Sequence, residues 1–158
     1  SIKLEGSGIL RQNKQIFVIN LNADWAQPHG ALEEIPIFER FFLGGSNSVR
    51  GTRLRSIGPI DDRGNILGGT KSFQYNVEYV FALSPQLRVK AFHDAGQAWL
   101  TDEEIRLGDM RRTAGLEFEV FAPVFNVPFR FFWAYNFDPL EIFGEQRSTF
   151  EFAIGSTF

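Results

Sequence analysis

The segment with the clearest chemical potential is rich in glycine and carries one arginine, Arg50. Gly44, Gly45 and Gly51 allow tight backbone turns around Val49 and Arg50, because glycine adopts conformations that other residues avoid. The guanidinium can therefore be presented at a fixed tip. This chemistry is recognition of carboxylates by a planar, permanently charged group.

A guanidinium that enters a protein interior must meet carboxylates, because an unpaired buried charge is costly. Glu78 and Asp94 lie on the polar faces of the next two predicted strands, and we predict that they pair with Arg50. The alternative is a solvated Arg50 on a turn.

Two pairs of residues could be interpreted as catalytic groups, but a structural role is favoured for each. Glu117 and Glu119 share one face of a strand and could act as an acid and base pair, but solvated charge on an aqueous wall is favoured. Ser46 and Ser48 have no His and Asp setting that would make a nucleophile. We therefore expect no enzyme activity.

Metal binding is also disfavoured, and no cofactor is expected. His29 and His93 have no companion ligands in the sequence. The segment 61–65 lacks the ligand spacing and the closing Glu of a calcium loop and is predicted to be a turn.

The elements that must position these residues are predicted strands. Seven segments alternate apolar and polar residues with period two, which is typical of strands with one apolar face. The two most aromatic stripes are Phe129, Phe131, Trp133, Tyr135 and Phe137, and Phe73, Tyr75, Val77, Tyr79 and Phe81. A strand of about ten residues, tilted by about 45°, spans the apolar band of an outer-membrane barrel.

The predicted connections alternate in length. Segments 11–14, 82–85 and 123–127 are short, whereas 27–69, 100–109 and 139–146 are longer. Outer-membrane barrels have short turns on the periplasmic side and long loops outside. The loop 27–69 is predicted to fold inward, because its composition is not that of a disordered segment.

Composition limits the class of protein. The chain has 158 residues with 18 Phe, no Cys and a net charge of −3, with its charges scattered. No run approaches the length of a transmembrane helix, and scattered charge argues against nucleic-acid binding. A soluble β-sandwich is the alternative fold, but aromatic density and the alternation of loop lengths favour a membrane barrel.

The last segment is predicted to be a strand with an aromatic face. Phe150, Phe152, Ile154 and Phe158 lie on one side, and Gly155 could allow a kink. Ordinary packing relief is the alternative for Gly155.

Several motifs, in order along the chain, resemble the outer-membrane assembly-factor superfamily, which includes BamA-like insertases, TamA-like proteins and two-partner secretion transporters. The matching segments are Val49-Arg50-Gly51 with flanking 42–45 and 57–59, Gly68-Gly69, 92–99 and the closing 152–158. The family has an aromatic residue where this chain has Thr52, which puts a stacking role for that position in doubt.

The resemblance implies that residues 1–158 are the C-terminal portion, about seven strands, of a sixteen-stranded transmembrane antiparallel β-barrel in a bacterial-type outer membrane. The loop 27–69 would be the sixth extracellular loop, with Arg50 paired to Glu78 and Asp94. The implied partners are the lipid bilayer, client outer-membrane proteins, the upstream half of the barrel, periplasmic POTRA domains absent from this chain, and assembly lipoproteins. No nucleic acid is expected.

Two functions remain open. The first is insertion and folding of outer-membrane proteins without covalent chemistry. The resemblance implies that the last strand forms a lateral gate, where a client strand is added by β-augmentation, with the gate residues Phe150, Phe152, Ile154, Gly155 and Phe158. The second is two-partner secretion or another polypeptide-translocating pore of the same superfamily, in which the long loop plugs the lumen.

Overall fold

The computed structural model describes residues 2–12, 14–27, 35–124 and 127–155. Seven antiparallel strands form one sheet in chain order, which confirms the prediction of an all-β antiparallel fold. The strands are β1 (Ile2–Gln12), β2 (Gln15–Trp25), β3 (Lys71–Ala82), β4 (Leu87–Trp99), β5 (Arg111–Ala122), β6 (Val127–Asn136) and β7 (Ser148–Ile154). Three short 3-10 helices, Ile37–Glu39, Leu107–Asp109 and Glu141–Phe143, lie in the connections.

The period-two pattern divides the sheet into two faces. On β6, Arg130 and Phe132 are buried, whereas the neighbouring Phe131 and Trp133 are exposed. Successive side chains of a strand point to opposite sides, so burial alternates along β3, β5 and β6. We call the side that carries Arg130 the inner face and the side that carries Trp133 the outer face.

The connections alternate in length, as predicted from the sequence. Short turns join β1 to β2, β3 to β4 and β5 to β6, whereas the other three connections are longer. The connection from β2 to β3, which we call the long loop, is described from residue 35 to residue 70. Isolated bridges between Phe41 and Gly69 and between Leu43 and Ile57 brace it.

The long loop packs on the inner face and supplies part of the buried core. Leu43, Val49 and Ile57 form a hydrophobic cluster within the loop. Two small residues of the sheet, Gly96 and Ala134, make room for it. A Cβ on Gly96 would lie 3.1 Å from the Val49 side chain, and a Cβ on Gly51 of the loop would lie 2.4 Å from the Ala134 Cβ. The loop can therefore approach the sheet closely at these two points.

Within the described residues the sheet is open, with β1 and β7 at its edges. No helix in this part of the chain is long and apolar enough to cross a membrane. The predicted site residue Phe158 and the candidate ligand His29 lie outside the described residues.

Candidate functional site: a buried ionic cluster beneath the long loop

The long loop presents Arg50 through backbone conformations that suit glycine. Gly44, Gly45 and Gly51 have φ angles of 108°, 97° and 77°, in the range that side chains rarely adopt. The Thr52 hydroxyl donates to the Val49 carbonyl at 2.7 Å and accepts from the Gly45 amide at 3.2 Å. Thr52 thus closes the tip by hydrogen bonding.

Arg50 is fully buried, and one edge of its guanidinium, Nε and Nη2, binds both carboxylate oxygens of Asp94. Its Nε lies 2.7 Å from Asp94 Oδ2, and its Nη2 lies 2.8 Å from Asp94 Oδ1. The Arg50 backbone amide also donates to Asp94 Oδ2 at 3.1 Å. A bidentate contact of this kind orients the guanidinium as well as neutralising its charge. Together with the backbone hydrogen bond, it lets Asp94 hold both the side chain and the backbone of the loop tip.

Two further carboxylates complete the surroundings of the guanidinium. Arg50 Nη1 lies 2.7 Å from Glu78 Oε1 and 3.0 Å from Glu117 Oε2. The Phe92 ring lies beneath the guanidinium, with its centroid 3.8 Å from the Arg50 Cζ. A cation over an aromatic face gains from the ring quadrupole when both groups are away from water.

The cluster also contains two basic side chains that balance the carboxylates. Arg130 Nη2 donates to Glu117 at 3.0 Å and to the Ser46 carbonyl at 3.1 Å, so it joins β5 to the long loop. Lys90 Nζ lies 3.1 Å from Glu117 and 2.6 Å from Glu119. We call Arg50, Glu78, Asp94, Glu117, Lys90 and Arg130 the buried ionic cluster.

The expectation that Glu117 and Glu119 are solvated is wrong. Glu117 is fully buried and Glu119 is 6% exposed, and both are ion-paired. The reason is that the long loop covers this part of the inner face and supplies Arg50, while the neighbouring strands supply three more cations: Arg88, Lys90 and Arg130. Buried carboxylates are tolerated where several donors satisfy them.

The protonation of Arg50 follows from this geometry. Burial alone lowers the pKa of Arg50, but the hydrogen bond to Asp94 and the charges of Asp94, Glu78 and Glu117 raise it above its ordinary value. The guanidinium therefore remains charged, and it cannot escape its buried carboxylates by losing a proton.

The structure brings the predicted lock residues Val49, Arg50, Gly51, Glu78 and Asp94 into one place, where Val49 and Arg50 are fully buried. It places the predicted gate residues elsewhere. Phe150, Phe152 and Ile154 lie exposed on the outer face of β7. Gly155 follows directly with a φ of 103°, and its amide donates to the Pro128 carbonyl at 2.9 Å.

The other residues considered as candidates from the sequence make contacts within the protein itself. No cluster of three or more metal-ligating side chains occurs among the described residues. Asp61 Oδ1 accepts from the Asn65 amide at 2.7 Å, and hydrogen bonds from the Asn65 side chain and backbone hold the pKa of Asp61 below its ordinary value. Ser48 donates to Gln74 at 2.7 Å, and His93 stacks on Tyr75. Segment 61–65 is thus a turn.

Replacing Gly51 by alanine is expected to unseat the tip of the long loop. The new Cβ would lie 2.4 Å from the Ala134 Cβ, and φ is 77°. Overpacking of this kind costs about 1–3 kcal/mol, to which the strained backbone adds. We expect a lower midpoint of chemical denaturation for the complete barrel.

The matched control is Gly108→Ala, because a Cβ there would meet nothing within 4 Å. The second substitution Ala134→Gly should recover part of the loss, since it removes the clashing methyl group. Equal midpoints for Gly51→Ala and Gly108→Ala would contradict the close approach.

Comparison with known proteins places these observations in a family context. The profile described as "Omp85 superfamily domain" matches residues 2–158. The chain is 35% identical over 132 residues to the outer membrane protein assembly factor BamA of Nitratidesulfovibrio vulgaris, covering 79% of this chain and 16% of that protein. It is 35% identical over 80 residues to BamA of Neisseria meningitidis serogroup B, covering 45% of this chain and 10% of that protein.

A solved structure has a similar fold. The crystal structure of BamA from Haemophilus ducreyi lacking POTRA domains 1–3 superimposes with a TM-score of 0.73 over 94% of this chain and 33% of that chain, at 20% identity. The present chain therefore spans a minor part of the length of each of these relatives.

Proposed function

The chain belongs to the Omp85 superfamily, and from this membership we propose that it is the C-terminal portion of an outer-membrane β-barrel assembly factor. The relatives named BamA support a role in outer-membrane protein assembly. The proposed partners are the lipid bilayer, client outer-membrane proteins and the upstream half of the barrel. Periplasmic POTRA domains and assembly lipoproteins would complete the machine.

The proposed role of the buried ionic cluster is to lock the long loop inside the barrel. Arg50 contacts carboxylates on β3, β4 and β5 at once, through Glu78, Asp94 and Glu117. Because one loop residue contacts three strands, it holds β3, β4 and β5 in fixed positions relative to one another. The lock would therefore keep this part of the barrel wall rigid while the barrel opens next to β7. The chemistry is entirely noncovalent.

The observation that carries the proposal is the hydrogen bonding of β7. The Gly155 amide donates to the Pro128 carbonyl, and the Asn136 amide donates to the Arg147 carbonyl. These two bonds show which residues of β7 are hydrogen-bonded to β6 and which are not. Residues opposite each other in an antiparallel pair alternate between bonded and unbonded positions. The backbone groups of Phe150, Phe152 and Ile154 therefore point away from β6, where a client strand could add as in β-augmentation.

Replacing Phe152 by proline tests this lateral gate. Proline removes the amide of residue 152, which points to the free edge, and leaves the ladder to β6 intact. Each lost hydrogen bond is worth about 1 kcal/mol, and we therefore expect client insertion to slow by at least about fivefold. The measurement is the folding rate of an unfolded client added to liposomes that contain the complete barrel.

The matched control is Phe152→Ala, which also loses the ring but keeps the amide. Insertion by the alanine variant should stay near that of the parent, since Phe152 is exposed on the outer face. If the proline and alanine variants insert clients at the same rate, β-augmentation at this edge is excluded.

The second candidate function is a polypeptide-translocating pore, such as a two-partner secretion transporter. The observation in its favour is that the long loop covers the inner face of β3 to β6, where a plug would lie. The two candidates differ in what removal of the loop does to the conductance of the barrel.

A further inference from the structure

A second set of contacts holds the long loop at a point separate from the buried ionic cluster. It centres on Glu145, in the connection from β6 to β7. The Glu145 Oε1 accepts from the Ser56 hydroxyl at 2.8 Å and from the Arg53 amide at 3.1 Å, both in the long loop. Its carboxylate thus reaches across to another connection of the sheet.

The other carboxylate oxygen of Glu145 is tied to the sheet and to its own connection. Glu145 Oε2 accepts from the Leu140 amide at 3.0 Å and from Asn136 Nδ2 at 3.4 Å, and it pairs with Arg111 at the start of β5. The Glu145 side chain is 4% exposed. A carboxylate with this many donors is strongly fixed in position.

Arg111 extends the same arrangement to the long loop. Its Nη1 lies 3.3 Å from both the Ser56 carbonyl and the Ser56 hydroxyl, and its Nε donates to the Asp138 carbonyl at 3.2 Å. Ser56 is 2% exposed and precedes Ile57 of the loop core. One buried ion pair therefore joins the base of the loop tip, β5 and the last connection.

We propose that Glu145 is a positioning residue that fastens the long loop to the connection between β6 and β7, as a second anchor independent of Arg50. Arg50 holds the tip at residues 49–51, whereas Glu145 holds residues 53–56. Release of the tip would then leave the loop tethered, and release of Glu145 would free residues 53–56 while the tip stays bound. This assignment concerns how the loop is held and stands whether or not the protein inserts clients.

The second anchor is expected to depend on pH. Burial raises the pKa of Glu145, but hydrogen bonds from Leu140, Arg111 and Ser56, with the charge of Arg111, bring it below its ordinary value. A carboxylate with a lowered pKa in the folded protein contributes stability above its unfolded pKa of about 4.3. That contribution is lost as the pH falls through the lower folded value.

The charged groups around Glu145 are few in the described part of the chain. Arg111 of β5 is the cation in contact with its carboxylate, whereas Arg53 meets it through the backbone amide. Asp138 and Glu141 lie in the same connection, and the Asp138 carboxylate pairs with Arg112. Asp138 is a second ion-paired carboxylate of this connection, so the test includes Asp138→Asn.

The experiment uses a nitroxide label at position 54 of the complete barrel, introduced as Leu54→Cys in a background without other cysteines. Leu54 is 75% exposed, so the label is tolerated and reports the motion of residues 53–56. In the parent we expect an immobilised spectrum at pH 7, with a mobile component that grows as the pH falls below the unfolded pKa of about 4.3. In Glu145→Gln the ratio of mobile to immobilised label should rise about tenfold at pH 7 and lose its pH dependence.

Glu141→Gln is the matched control, because Glu141 is an exposed carboxylate of the same connection. It and Asp138→Asn should keep the parent's pH profile. A second label at Gln86→Cys, in the turn between β3 and β4, should be unchanged in every variant. A parent-like spectrum of Glu145→Gln at pH 7 would overturn the assignment, and so would simultaneous release of both labels, which would indicate general unfolding.

Discussion

Replacing Arg50 by alanine is expected to release the tip of the long loop and to reduce client insertion into liposomes by at least about tenfold. The change leaves Glu78, Asp94 and Glu117 buried without the cation that all three contact. Removal of one partner from a buried ion pair costs about 3–5 kcal/mol. The lower free energy of unfolding should be measured as a lower denaturation midpoint, and the released loop should be cut more readily by protease.

Two control variants separate the charge of Arg50 from its geometry. Arg50→Lys keeps the charge but cannot form the paired contact with Asp94, so it should restore stability and insertion only in part. Arg63→Ala removes an exposed arginine from the same loop and should behave as the parent. Equal insertion by Arg50→Ala and the parent would remove the proposed lock.

A further variant addresses the case in which Arg50→Ala fails to assemble. Combining it with Asp94→Asn removes the excess buried negative charge, because Glu78 and Glu117 then balance Lys90 and Arg130, and should recover folding. If this variant folds but inserts clients slowly, Arg50 acts through the position of the loop. If it inserts at the parent's rate, Arg50 serves charge balance alone, and the lock proposal fails.

The faces of the strands could be predicted from the sequence because alternation alone decides them. Phe131 and Trp133 had to lie opposite Arg130 and Phe132 wherever the strand was placed. The same reasoning placed Glu78 and Asp94 on the face that the long loop covers. The seven strands and the alternation of loop lengths followed from the same period and from the breaks between the segments.

The full membership of the ionic cluster could not be predicted, because alternation gives the face of a residue but not its height along the sheet. Height depends on register, which pairs Glu117 with Lys90 across β4 and β5. Read alone, Glu117 and Glu119 resemble a solvated strand face. Only the register and the inserted loop show that Glu117 meets Arg50 and Arg130.

The contact between Glu145 and the long loop could not be predicted from a repeating pattern in the sequence. Ser56 and Glu145 are 89 residues apart in the sequence and lie in two different connections, neither of which has a regular repeat. Their meeting depends on how the strands bring the two connections together. Thr52 is similar, since its hydrogen bonds depend on the turn that the neighbouring glycines allow.

Deleting residues 41–56 is expected to raise the single-channel conductance of the complete barrel by at least about twofold if the loop plugs an aqueous lumen. The deleted segment contains Arg50 and the buried Leu43 and Val49, which cover the inner face. Its loss leaves Glu78, Asp94, Glu117 and Glu119 facing Lys90, Arg130 and the half-exposed Arg88. The excess of carboxylate should make the open path select for cations, because rings of charged side chains set selectivity in pores.

The deletion also exposes buried charge, so its control keeps the loop and changes only the cluster. Arg50→Ala with Asp94→Asn retains a covering loop and should conduct much less than the deletion. The deletion combined with Asp94→Asn should lose part of the cation preference, because it removes a carboxylate that the absent loop no longer covers. Unchanged conductance after deletion would rule out the loop as a plug and would leave insertion at the β7 edge as the function to pursue.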